Sequence, residues 1–126
     1  MKVSTLVLRN NPIGDEGLQT IFDALKRNKT LKYLYITECN MTDFGVTLLA
    51  DALYTNNTLK ILDIGGNKTI TENGLACLFE AVSRHSGLEG IHMSNHFGVD
   101  ESKVKKTINK TRKKNGLPDI YLQVCY

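Results

Sequence analysis

The chain has 126 residues, 41% of them hydrophobic and 23% charged, a size that suits one domain with a modest core. Its apolar runs are too short to cross a bilayer, and Cys39, Cys77 and Cys125 form neither a disulfide framework nor a metal-spaced set. The net charge of +3 comes from one segment: residues 1–99 carry nine Lys/Arg against ten Asp/Glu, whereas residues 100–116 carry seven against Asp100 and Glu101.

No basic start followed by an apolar stretch and a small-residue cleavage site is seen, so the expected setting is the reducing cytoplasm. In chain order, residues 3–30 begin with Val3, Leu6 and Leu8 at strand spacing. After Ile13 the apolar positions become Leu18, Ile21, Phe22 and Leu25, the i, i+3, i+4, i+7 stripe of a helix. Residues 31–58 repeat this with Leu31, Leu34 and Ile36, then Met41, then Val46, Leu49, Ala50 and Leu53. Residues 59–87 do so with Leu59, Leu62 and Ile64, then Ile70, then Leu75, Leu78, Phe79 and Val82. Residues 88–116 start on Leu88, Ile91 and Met93, pass Val99 and continue into the basic stretch ESKVKKTINKTRKKNG. Residues 117–126 start a fifth unit, with Leu117, Ile120 and Leu122 read as its strand marks.

This L-x-x-L-x-L-x-x-N/C pattern, recurring in five registers, resembles the leucine-rich repeat family in its long, ribonuclease-inhibitor-like form. A lone strand–helix unit has no way to bury its own leucines, whereas stacked units share one core. The resemblance implies a right-handed α/β solenoid, a horseshoe arc of about four and a half repeats of 28–29 residues. A parallel sheet would line its concave face and helices its convex face. It is similar to the C-terminal arrays of NOD-like receptors, which implies a non-enzymatic module that binds a protein partner. A GTPase-activating or other enzyme-regulating repeat protein is the alternative, and it would need a longer array and a catalytic constellation. The chain reads as the C-terminal portion of a longer array, or as a small protein whose uncapped ends self-associate.

The register gives candidate residues their roles. Asn11, Cys39, Asn67, His96 and Cys125 fall in the N/C column, where a small polar side chain bonds turn backbone in the interior. Cys39 is therefore read as scaffold. A Cys39–Cys125 disulfide is excluded, because three strands at about 4.8 Å each separate them. Gly65-Gly66-Asn67 lacks the Gly-Lys-Ser/Thr of a phosphate loop, and Gly17, Gly45 and Gly74 share a helix-start register that close packing explains. His92 and His96 are four apart but lie in strand and turn, so no metal site is expected, and no cofactor either. Five N-x-T sequons, at Asn28, Asn40, Asn56, Asn67 and Asn109, are read as turns, Asn tolerating left-handed backbone.

Strand alternation places Val7, Tyr35, Asp63, His92 and Tyr121 in one outward column. Thr5, Tyr33, Ile61, Gly90 and Asp119 form the column before it, and Arg9, Thr37, Gly65, Ser94 and Gln123 the column after. Arg9, Tyr33, Tyr35, Asp63, His92 and Tyr121 are the expected protein-binding set, because Tyr and Arg dominate interface energetics. The basic helix is read as a polar cap on the stack. Its competing reading is an anionic-partner patch for nucleic acid or lipid, formed by Lys105, Lys106, Lys110, Arg112, Lys113 and Lys114. With no aromatic residue interleaved, nucleic acid is disfavoured.

Overall fold

A computed structural model describes residues 3–94 and 98–125, with the side chain of Cys125 left out of the account. Strands and helices alternate: β1 (Thr5–Arg9), α1 (Gly14–Leu25), β2 (Tyr33–Thr37), α2 (Asp43–Thr55), β3 (Ile61–Asp63), α3 (Glu72–Arg84), β4 (Gly90–Ser94), α4 (Glu101–Lys114) and β5 (Tyr121–Cys125). The five strands form one parallel sheet in sequence order. Each helix carries the chain back to start the next parallel strand beside the last, which is the α/β repeat solenoid expected from the spacing.

The apolar marks meet between sheet and helices. Leu34, Ile36, Leu62, Ile64, Ile91 and Met93 are fully buried from the strand side, and Leu18, Phe22, Val46, Leu49, Leu53, Leu78 and Val82 from the helices. One core thus runs along the stack, as a repeat that shares its leucines with its neighbours requires.

Three polar ladders tie neighbouring repeats. In the first, the Asn67 amide donates to the carbonyls of Ile36 (2.7 Å) and Ile64 (3.0 Å) and accepts from the backbone N–H groups of Cys39 and Met41. Cys39 is fully buried and its thiol donates to the Leu8 carbonyl at 3.2 Å, the equivalent contact one repeat earlier. The Asn11 side chain is exposed and donates to the nearby Arg9 carbonyl, while its backbone hydrogen-bonds Cys39; His96 lies outside the described residues.

In the second ladder, the Asp15 carboxylate accepts from the backbone and hydroxyl of Thr42, and Asp43 accepts likewise from Thr71. Two of the three glycines in the helix-start column make room for these carboxylates, while Gly17 packs on Ile13. A Cβ on Gly45 would lie 2.2 Å from Asp15 Oδ1, and one on Gly74 2.3 Å from Asp43 Oδ1.

The third ladder corrects the expected role of the turn asparagines. Left-handed backbone occurs at Asn10 and Asn40, but Asn56 is extended (φ −89°) and Asn28 does not have a positive φ. Instead Asn28 Oδ1 accepts from the N–H groups of Thr30 and Leu31, and Asn56 Oδ1 from those of Thr58 and Leu59. His85 Nδ1 repeats the pattern on Gly87 and Leu88. An Asx turn, rather than tolerance of strained φ, selects Asn here.

Two further expectations change. The last repeat is longer than the others: Gly90 pairs with Tyr121, Ile91 with Leu122, Met93 with Val124 and Ser94 with Cys125. Tyr121 therefore belongs to the Tyr33 column rather than that of His92, and Cys125 lies beside Ser94, outside the turn column. One extra residue lengthens α4 and the other lies in the turn after it, where Gly116 (φ +72°) lets Leu117 N–H reach the Arg112 carbonyl and Gly116 N–H that of Lys113. This is a Schellman ending. Alternation hid the shift, since a two-residue slip keeps every side chain on its face.

Arg112 is the second correction: it is fully buried and belongs to no surface patch. Its guanidinium donates to the carbonyls of Pro118 (2.7 Å), Val82 (2.8 Å), His85 (2.7 Å) and Leu88 (3.2 Å). It bridges the end of α3 and the following turn as Asn56 bridges Leu25 and Asn28 two repeats earlier.

Candidate functional site: the outer face of the sheet

The outward side chains of β2 to β5 form a continuous surface because the inward ones are fixed by the core. Across the sheet one row runs Thr5, Tyr33, Ile61, Gly90, Tyr121, and the next runs Val7, Tyr35, Asp63, His92, Gln123. Neighbouring positions in a row are about 4.8 Å apart, the strand spacing. Tyr33, Tyr35, Asp63 and His92 are half-buried, while Arg9, Val7 (51%) and Tyr121 (40%) are exposed.

Three of these side chains touch. The Asp63 carboxylate lies 3.8 Å from His92 Nδ1, and His92 Nε2 lies 3.2 Å from the Tyr121 hydroxyl. With a proton on Nδ1 facing Asp63, Nε2 accepts from the phenol. The rings of His92 and Tyr121 are tilted, with centroids 5.6 Å apart. Gly90 makes this possible: a Cβ there would fall 2.2 Å from the Tyr121 ring, which lies across the bare backbone. Burial, followed by the neighbouring Tyr35, Glu89 and Tyr33, raises the Tyr121 pKa, so the phenol stays a protonated donor at neutral pH.

Asp63 is also fixed from its own strand, Oδ1 accepting the Gly65 N–H at 2.9 Å. Tyr35 flanks Asp63 and Tyr33 flanks Ile61 on the adjacent strand. Arg9 sits on β1, exposed and apart from the Asp63–His92–Tyr121 contacts. The structure thus gathers Tyr33, Tyr35, Asp63, His92 and Tyr121 into one patch and leaves Arg9 at its margin. Ile61, Val7 and Gln123 complete the patch; the register contained them, but residue type gave no reason to single them out.

On the other candidates, Lys105, Lys106, Lys110, Lys113 and Lys114 are exposed on α4, whereas Arg112 is turned inside. Among the described residues no group of three or more His, Cys, Asp or Glu could hold a metal ion. Cys39 and Cys77 are free thiols, and burial raises the pKa of Cys39. No helix among the described residues is long and apolar enough to cross a membrane.

Comparison with known proteins places this geometry. A family model described as Leucine Rich repeat matches residues 1–22, 27–50 and 55–79, more than half of the chain. No curated protein matches the sequence. Among solved structures, the chain is similar to one titled leiomodin-1 actin-binding site 2, with a TM-score of 0.79 and 22% identity over 98% of this chain and 70% of that one. At that identity the likeness is one of fold.

Proposed function

This chain belongs to the leucine-rich repeat family, and from that premise we propose that it is a non-catalytic module that binds a protein through the outer face of its sheet. The observation that carries the reading is the patch of Tyr33, Tyr35, Asp63, His92 and Tyr121, held on a rigid sheet with its polar groups already oriented. Aromatic side chains with a polar tip give large contact area for little lost rotamer freedom. A patch that needs no rearrangement keeps the ordering cost of binding low.

The repeat subtype we assign is ribonuclease-inhibitor-like, supported by a full α-helix of 12 to 14 residues in each of the four strand–helix units. A sensor array of the NOD-like kind is the setting which that repeat style favours. The leiomodin-1 structure, titled for actin binding, supports protein binding as a use of the fold. Placement in a reducing compartment is supported by the buried thiol of Cys39 and by sequon residues Asn56 and Asn67, whose side-chain amides are consumed by the interior.

The test pairs affinity with stability. Immobilised wild-type protein, Tyr33→Ala and Tyr35→Ala would be exposed to cell lysate, and retained proteins quantified beside each variant's melting temperature. We expect a retained partner to be lost from both variants, with a cost of about 2 kcal/mol or more at a true anchor and little change in melting temperature. Equal retention by all three proteins would remove the site from this face.

A further inference from the structure

Between α1 and α2, and between α2 and α3, the helix starts are locked by an aspartate, a threonine and a glycine: Asp15–Thr42–Gly45 and Asp43–Thr71–Gly74. The same register between α3 and α4 reads Glu72, Asp100 and Lys103. Each substitution opposes the lock. Two carboxylates occupy the register where an acceptor met a donor, and Lys103 stands where the earlier repeats have glycine. Asp100 instead turns inward on its own helix and accepts the Lys103 N–H at 3.1 Å.

Where the lock is missing, a groove of about 510 Å³ separates α3 from α4 on the helical face. Its floor is apolar, with Leu75, Phe79, Val104 and Ile108, and its sides are short, with Ala76 and Thr107. Phe79 and Val104 are only half-buried, although the equivalent side chains of α2 are sealed by α3. The two rims differ in charge. On α3, Glu80 is paired with Arg84 at 3.1 Å, and Glu72 lines the groove with Asp100 at the end where the two helices start. On α4, Lys103, Lys110 and Lys114 are exposed, and their spacings of seven and four residues put them along one edge beside Thr107.

We propose that this groove is a second docking site, and that it receives an amphipathic helix of a partner protein with acidic side chains along one flank of its apolar stripe. Charge complementarity selects the occupant. An apolar stripe fits the floor, and Asp or Glu on the flank over the C-terminal half of α4 meets Lys110 and Lys114, away from Glu72 and Asp100 at the groove's start. The site is independent of the sheet face, so a loss of either leaves the other measurable.

The test uses a phage-displayed library of amphipathic helical peptides with randomised flanking positions, selected on the wild-type protein. Ala76→Trp plugs the groove from an exposed position, and the triple change Lys103→Glu, Lys110→Glu, Lys114→Glu reverses its edge. The expected result is enrichment of acidic-flanked peptides. Their affinity should fall at least tenfold in the plugged variant and in the reversed one, at unchanged melting temperature, and stay constant in Tyr35→Ala. Basic or random flanks, binders indifferent to Ala76→Trp, or no enrichment would overturn the proposal. So would a dimer of the wild-type chain in sedimentation that Ala76→Trp abolishes, since the occupant would then be a second copy.

Discussion

Arg112 donates to the carbonyl of His85 across 2.7 Å, so a side chain of the fourth helix completes the turn that ends the third. The same guanidinium serves Val82, Leu88 and Pro118, which fastens α4 and β5 onto the stack by one residue. Burial lowers its pKa, but a guanidinium keeps its charge, and four carbonyl dipoles stand in for water.

Arg112→Ala is therefore expected to cost about 3 kcal/mol or more, because it strands several buried carbonyls at once. Lys113→Ala, one residue on and exposed, should change stability by no more than about 0.5 kcal/mol. Urea unfolding of the pair measures both. Similar small effects would contradict the interior placement of Arg112.

Gly45→Ala and Gly74→Ala should reverse the usual sign of glycine replacement in a helix. Alanine ordinarily gains about 1 kcal/mol there, but here the new methyl meets the carboxylate of Asp15 or Asp43. A loss of about 1 to 3 kcal/mol is expected from overpacking. Asp43→Ala makes room, so Gly74→Ala added to it should cost much less than in the wild type, whereas at Gly45 the Met41 side chain also crowds the new methyl. A double-mutant cycle by chemical denaturation reads this coupling directly.

The sequence pattern made the strand and helix positions legible, because a shared core demands apolar side chains at fixed spacing. Leu34, Ile36, Leu49 and Leu53 announce their burial that way. Alternation is blind to a slip of two residues, so the repeat spacing sets the fifth strand two residues early and gives Tyr121 the wrong neighbour. Charge is a poor guide to exposure when backbone carbonyls converge, so Arg112 looks like one of its lysine neighbours in sequence and lies inside. The column of Asp15, Asp43, Glu72 and Glu101 is readable in principle; its meaning lies in the glycine and threonine of the next repeat, a relation across 27 to 31 positions that no local pattern displays. In the sheet face the rows were legible, whereas the contact of His92 with Tyr121 depends on the empty side of Gly90.

Cys39→Ser should lower stability by about 1 to 2 kcal/mol, since a buried polar contact to the Leu8 carbonyl is re-formed with a smaller atom in a site shaped for sulfur. In the native protein Cys39 should resist a thiol reagent, being inaccessible and held as the thiol by burial, while Cys77 reacts first. Mass spectrometry after brief labelling distinguishes the two positions. Fast modification of Cys39 under native conditions would mean that the turn is open.

His85 gives the fold an acid limit. Its pKa is lowered from 6.5 to about 4, chiefly by burial, with Arg112 and Lys60 adding to the effect and the Asn56 backbone opposing it. Nδ1 must stay unprotonated because it accepts from both Gly87 and Leu88. Between pH 6.5 and 4 the unfolded chain takes up a proton that the native state refuses, so the stability present above pH 6.5 declines as pH falls. Integrated to below pH 4, that loss approaches about 3 kcal/mol. His85→Asn separates this from other acid effects, since Asn28 and Asn56 already perform the same double acceptance in their own repeats. The variant should fold, start about 1 kcal/mol lower at pH 7 because the smaller side chain leaves a gap, and lose less stability than wild type on titration to pH 4. Chemical denaturation of both proteins at pH 7, 5.5 and 4 measures the two slopes. Parallel slopes would mean that His85 does not carry the acid response.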